Sequence, residues 1–293
     1  MFTARPPQAQ APRRTLPLLA ARRQVFTGEA EFLADPGNRA RVAEYLADMA
    51  RPYEVEVRPE LSGHSFGEMA EPLIAGLGQA DDPVDLLILA FSVHDLRPGR
   101  QTAAYLSHVT PGSPMAFAIC DQGPAAAFTG LRIAREYSAS AEVRRALLIV
   151  VEQAALPYDC SAPVPAQHQG VAMLYGEGQN PLARVTEVCQ HAGVPPDQVA
   201  ELAAKELARL TAGHGQATLV LGDSLAAARP AFAGWPVRVA PVGQPMTGVW
   251  WSTLDELSAG LDGRGLLIAA DYDPDLRYLC LTVFEKENEW ATR

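Results

Sequence analysis

The chain has 293 residues, 48% of them hydrophobic and 20% charged, with a formal net charge of −10. That length allows one large domain or two packed halves with ample core, and the composition excludes a mainly disordered chain. The negative balance argues against nucleic acid or an anionic membrane surface as the main partner, and no apolar run is long enough to span a bilayer.

Residues 1–14, MFTARPPQAQAPRR, lack an apolar h-region and read as a flexible tail, not a secretory signal. Residues 15–27 supply a first strand. NRARVAEYLADMARP is helical, with Val42, Tyr45, Leu46 and Met49 on one side. YEVEVRPEL alternates like a strand. SFGEMAEPLIAGLGQ reads as a helix that Ser65 caps, with Glu68 three residues on and Gly76 and Gly78 stopping it. VDLLILAFSV is a continuous apolar run, the pattern of a strand covered on both faces. RQTAAYLSHV is a short helix, and PMAFAIC another buried strand. A helix follows from Pro124, and RRALLIVVEQ is a third buried strand. Apolar strands separated by helices predict a mostly parallel sheet with helices on both faces.

Residues 153–170 form a long Pro-rich connection. VAMLYGEG is a strand; PLARVTEVCQHAG and PDQVAELAAKELARLTAG read as helices. ATLVLGDS, VRVAPVG, GLLIAADY and YLCLTVFEK are strands. The chain therefore divides into two similar α/β halves, residues 15–170 and 171–293, without a residue-level repeat. Cys120, Cys160, Cys189 and Cys280 form no CxxC pair, and the six histidines show no metal-ligand spacing. Free thiols in a cytoplasmic protein fit better than disulfides or a metal site.

Four stretches resemble the thiolase superfamily, and within it the ketoacyl-ACP synthase III-like proteins. They are GEMAEPLIAGL followed by VDLLILAFSV; RPGRQTAAYLSHVTPGSPMAFAI; the turn and helix of residues 117–137; and GRGLLIAADYDPDLRYLCLTVF. In the last, Asp271-Tyr272-Asp273-Pro274 stands where the family has a Gly-rich turn. The resemblance implies a thiolase-like α/β fold of two pseudo-repeated βαβαβαββ halves, layered α/β/α/β/α. It also implies a dimer acting on acyl-coenzyme A or on acyl groups held by a carrier protein's phosphopantetheine. These are substrates, and no bound cofactor is implied.

The family keeps its reactive cysteine on a strained turn at a helix N-terminus, where the helix dipole and backbone N–H groups favour a thiolate. Matching on Phe117 places Gly123 there; matching on the helix LRIAREY places Pro124 there. Neither carries a thiol. The family's histidine corresponds to LVLGDSLAAA, which offers Asp223 and Ser224, and its asparagine to PVGQPMTGVWW, which offers Gln244 and Thr247. The triad that attacks a thioester and holds its oxyanion is not visible.

The groups nearest any chemistry are then Cys120, Asp121, Gln122, Asp223 and Thr247. Cys120 is either a displaced nucleophile or a small buried residue of the strand. Asp121 caps the helix or serves as a base. Gln122 is either a turn residue or the counterpart of a glutamine that replaces the cysteine in some ketosynthase-like proteins. His94 follows a buried strand on the mouth side of the sheet. His168 lies in the connection where the resemblance implies part of an acyl tunnel. With Ser224 and Gln244 these are the substrate-binding candidates. Arg97, Arg100, Arg132 and Arg135 dock an acidic carrier or a coenzyme A phosphate, or form a solvated face. Trp250 and Trp251 wall an acyl pocket or pack the core. GDSL at 222–225 has no histidine after His214 to complete a hydrolase triad, so it is read as chance.

Two functions follow. One is an acyl-processing enzyme of specialised metabolism that transfers, condenses or decarboxylates with altered active-site residues. The other is a catalytically inactive ketosynthase-like partner, in a homodimer or with an active synthase.

Overall fold

The computed structural model describes residues 15–58, 61–78, 82–97, 99–140, 143–158, 164–214, 216–260 and 265–286. The tail at 1–14 and Cys160 lie outside these. Where apolar runs are continuous, strands form: β2 (Leu86–Ala90) and β4 (Arg145–Glu152) are buried along their whole length. Their side chains alternate between two cores. Leu86, Ile88, Ala146, Leu148 and Val150 face one hydrophobic cluster; Leu87, Leu89, Leu147, Ile149 and Val151 face another.

The other elements are β1 (Leu16–Phe26), α1 (Pro36–Ala50), α2 (Phe66–Ala75), α3 (Thr102–Val109), β3 (Met115–Ile119), α4 (Ala125–Ala139) and β5 (His168–Gly176). Then come β6 (Ala183–His191), α5 (Val199–Leu210), β7 (Ala217–Leu221), β8 (Val237–Val239), α6 (Gly248–Ala259), β9 (Leu266–Asp273) and β10 (Tyr278–Glu285). The strands run in the order β3-β2-β4-β5-β1-β6-β10-β9-β7-β8. Adding five to each of β1 to β5 gives the second half read inward from its edge, so β5, paired with β1 and β4, carries the first half on to Gly176 and not to residue 170. The repeat that the residues do not show is therefore present in the topology, with β1 and β6 joining the halves. α4 and α6 lie between the two half-sheets, since the cluster that holds Phe128 and Trp250 takes residues from both. α2 and α3 cover the outer face of the first half, and α5 that of the second. The layers are α/β/α/β/α, as the resemblance implied.

The sheet is mixed, not mostly parallel: β3-β2-β4 and β9-β7-β8 run parallel, but the five pairings from β4 through β5, β1, β6 and β10 to β9 are antiparallel, because these strands follow one another as hairpins or join the halves and have no crossover helix. Three local expectations are also corrected. PLARVTEVCQHAG is not a helix: Ala183–His191 is strand β6, hydrogen-bonded to both β1 and β10. Its β-branched Val185, Thr186 and Val188 fit a pleated surface, and two waiting neighbours override the helical spacing. YEVEVRPEL is not a strand: Glu54 takes a left-handed φ of 55°, and Val57 makes only a single bridge, to Tyr158. β3 is not fully buried, because it is an edge strand with Met115 48% exposed. α6 is a helix that the periodicity did not announce.

The capping box forms as expected. Ser65 Oγ accepts from the Glu68 N–H at 3.3 Å, and Glu68 Oε2 accepts from the Ser65 N–H at 2.9 Å. Ser65→Ala is expected to cost about 1 kcal/mol of stability in urea unfolding, and an unchanged midpoint would show that Glu68 alone suffices.

Candidate functional site

β3 ends at Ile119, and the chain bends through residues 120–124 into α4. Two consecutive odd positions in the bend are left-handed, Asp121 at φ 59° and Gly123 at φ 48°. Pro124 precedes the helix and has no N–H to offer. The Ala125 N–H donates to Gln122 O at 3.0 Å and the Ala126 N–H to Gly123 O at 3.1 Å. The bend thus uses donors that a helix N-terminus would otherwise present to a ligand.

Asp273, the last residue of β9, faces this bend. Its Oδ1 accepts from the N–H groups of Asp275 at 3.0 Å and Leu276 at 2.9 Å, which fixes the carboxylate on the β9–β10 turn. Its Oδ2 lies against Gly123: a Cβ there would collide with that oxygen and sit 3.2 Å from Asp273 Cγ. A second carboxylate of the same strand does the same to a second glycine. A Cβ on Gly222, which follows β7, would overlap the Asp271 carboxylate, 2.5 Å from Oδ2. Asp271 is 4% exposed and accepts from Ser224 Oγ at 2.9 Å and the Tyr272 N–H at 2.8 Å. Burial pushes its carboxyl up to about 7; those hydrogen bonds oppose the shift, and the charges of Asp273 and Asp223 add to it.

The other half holds the counterpart. Glu152 closes β4 as Asp273 closes β9, and it is 1% exposed. Its carboxylate accepts from the N–H groups of Met246 at 2.9 Å and Thr247 at 3.1 Å, from Gln244 Nε2 at 2.8 Å, and from Thr247 Oγ1. It thereby caps α6. Burial raises its carboxyl to about 7 against the pull of these four donors. The sequence reading missed Glu152 and gave Asp271 and Asp273 no role. The available signal was a carboxylate ending an otherwise apolar strand.

Most of the remaining candidates disperse; His94 and Arg100 come together, lining one cleft of about 470 Å³ with Asp95 and Phe91. Cys120 is exposed, neither buried in its strand nor activated. Partial desolvation raises its thiol, and the hydrogen bond from Sγ to Asp121 Oδ2 at 3.3 Å and that charge raise it further. Asp121 makes no side-chain cap, since α4 has none. Gln122 turns inward: Thr129 Oγ1 donates to its Oε1 at 2.7 Å, and Gln190 Nε2 donates to Thr129 Oγ1 at 2.9 Å. Asp223 and Ser224 stand beside Asp271, whereas Thr247 and Gln244 belong to the buried Glu152 cap. His168 Nδ1 accepts from the Ala154 N–H at 3.1 Å and its ring meets His64 edge-on at 5.1 Å. Desolvation lowers its pKa, with His64 adding to the effect. His94 is exposed and contributes its carbonyl to Gln153. Trp250 packs on Phe128 in the core, at 4.7 Å between ring centroids, and Trp251 lies under Arg23.

The four arginines do not form one patch. Arg97 and Arg100 line a cleft of about 440 Å³ beside α1, with Arg97 4.3 Å over the Phe32 ring. Arg135 lines a different cleft with Arg144 and Thr15. Arg132 is exposed on α4. Among the described residues, no cluster of three or more His, Cys, Asp or Glu side chains could hold a metal ion, and no helix is long and apolar enough to cross a membrane.

Chemically, the bend at α4 offers no acidified thiol. The Asp273 carboxylate beside Gly123 opposes any thiolate or oxyanion brought to this bend.

No family model matches the chain, and no curated protein matches its sequence. Solved structures do match its fold. AbyA1, described as a tetronic acid condensing enzyme, aligns over 93% of this chain and 100% of its own with a TM-score of 0.65 and 14% identity. The 3-oxoacyl-[acyl-carrier-protein] synthase III of Aquifex aeolicus VF5 aligns over 92% and 100%, with a TM-score of 0.63 and 13% identity. ChlB3, described as an acyltransferase, aligns over 93% and 98%, with a TM-score of 0.59 and 16% identity. The chain therefore has the thiolase-like α/β fold of ketoacyl-ACP synthase III structures.

Proposed function

We propose that this chain is a ketosynthase III-like protein of acyl-thioester metabolism that forms no acyl-enzyme and works as a partner subunit, in a homodimer or beside an active ketosynthase. The carrying observation is Gly123. It stands at the bend where the resemblance places a nucleophile, and Asp273 takes up the space of any side chain there. The named activities of the fold's neighbours, condensation and acyl transfer, support the acyl-thioester context. Cys120, the thiol nearest in sequence, is exposed with a raised pKa, so it is a poor replacement at neutral pH.

Intact-mass measurement after incubation with acyl-coenzyme A and with acyl-carrier protein tests this. No covalent adduct is expected, and the chain should elute as a dimer, either of two copies or with a ketosynthase from the same source. An acyl adduct that vanishes in Cys120→Ala would establish the enzyme reading instead.

A further inference from the structure

We propose that Asp273 is a built-in stopper: its carboxylate occupies the volume that a side chain at 123, or an acyl group brought to it, would need. Asp273 and Glu152 occupy the same place in the two halves, each the eighth and last residue of its strand. Each faces the N-terminal end of a central helix belonging to the other half. Their modes differ. Glu152 is bonded to α6 by backbone and side-chain donors. Asp273 is anchored to its own turn through Oδ1, and its Oδ2 occupies the place a Cβ on Gly123 would take. The Ala125 and Ala126 N–H groups are already used within the bend, so the contact is steric and not a cap. Gly123 is the residue that makes this approach possible, since it is left-handed and has no Cβ. This inference deepens the partner-subunit reading, but its geometry is testable alone.

In a Cys120→Ala background, Gly123→Cys is prepared with and without Asp273→Ala. Labelling by iodoacetamide is followed by mass spectrometry of the peptide carrying position 123. With Asp273 present, labelling is expected to be slow. Without it, labelling should be about tenfold faster or more, because the carboxylate both blocks approach to the sulfur and, by its charge, disfavours the thiolate. Equal rates would overturn the stopper.

A thermal-unfolding cycle guards against misfolding of the cysteine variants. Gly123→Ala is expected to lower Tm by several degrees more in the wild-type background than in Asp273→Ala; the left-handed strain of alanine is common to both arms and cancels. Folding of Gly123→Ala only when Asp273→Ala accompanies it is the same coupling at its extreme. Additive Tm shifts, or unfolding of both proteins, would count against the proposal. Failure here with no acyl adduct on the wild type would refute the stopper and leave the partner reading standing.

Discussion

Glu152→Ala is expected to destabilise the protein by about 3–5 kcal/mol in denaturant unfolding, the largest effect of any single substitution considered. The carboxylate is buried and accepts from four donors at the start of α6. Truncation strands the Met246 and Thr247 N–H groups in a dry site, at about 1–3 kcal/mol each. It also loosens the entry to a helix whose Trp250 is fully buried against Phe128. Glu152→Gln keeps one acceptor oxygen but turns an NH2 toward donors, so about 1–2 kcal/mol is expected. If Glu152→Ala cost no more than a surface substitution, about 0.5 kcal/mol, the assigned cap would be wrong.

Stability is expected to fall as pH rises from about 4 to 7, with Asp271 alone contributing on the order of 3–4 kcal/mol, at 1.36 kcal/mol per pKa unit. Burial lifts its folded carboxyl from 3.8 to about 7. Between those values the folded protein holds a proton that the unfolded chain releases. The contribution is therefore full below 3.8 and is lost as pH rises through 7. Glu152 acts in the same direction from 4.5 to about 7. Urea unfolding of wild type and Asp271→Asn at several pH values isolates the first group, since the amide does not titrate. The stability difference between the two proteins should change across this window. A difference independent of pH would mean that Asp271 ionises as it does in the unfolded chain.

Both expectations arise from buried carboxylates in the last residues of a strand, Glu152 and Asp271, and a third carboxylate so placed, Asp273, lies against the bend at Gly123. In one half the terminal carboxylate is a cap; in the other it fills the place of a missing side chain. One topology, used twice, gives two outcomes because the two helix entries differ. Met246 and Thr247 present free N–H groups to Glu152, while Pro124 and the bonded Ala125 and Ala126 leave none for Asp273.

Much of the fold was legible in the residues. The apolar runs at 86–90 and 146–151 carry the pattern of strands covered on both faces, and Ser65 with Glu68 announced the start of a helix. The absence of a thiol between Asp121 and Pro124 was also plain from the residues. These are local properties, fixed by side-chain period and by groups a few bonds apart. β6 and α6 were not legible: the Ala183–His191 segment extends because β1 and β10 flank it, and α6 begins at donors that Glu152 holds from 94 residues away. No pattern along the chain says which glycine a distant aspartate will press upon. A carboxylate's role is set by the donors, charges and space that folding brings to it, and only the tertiary structure supplied those.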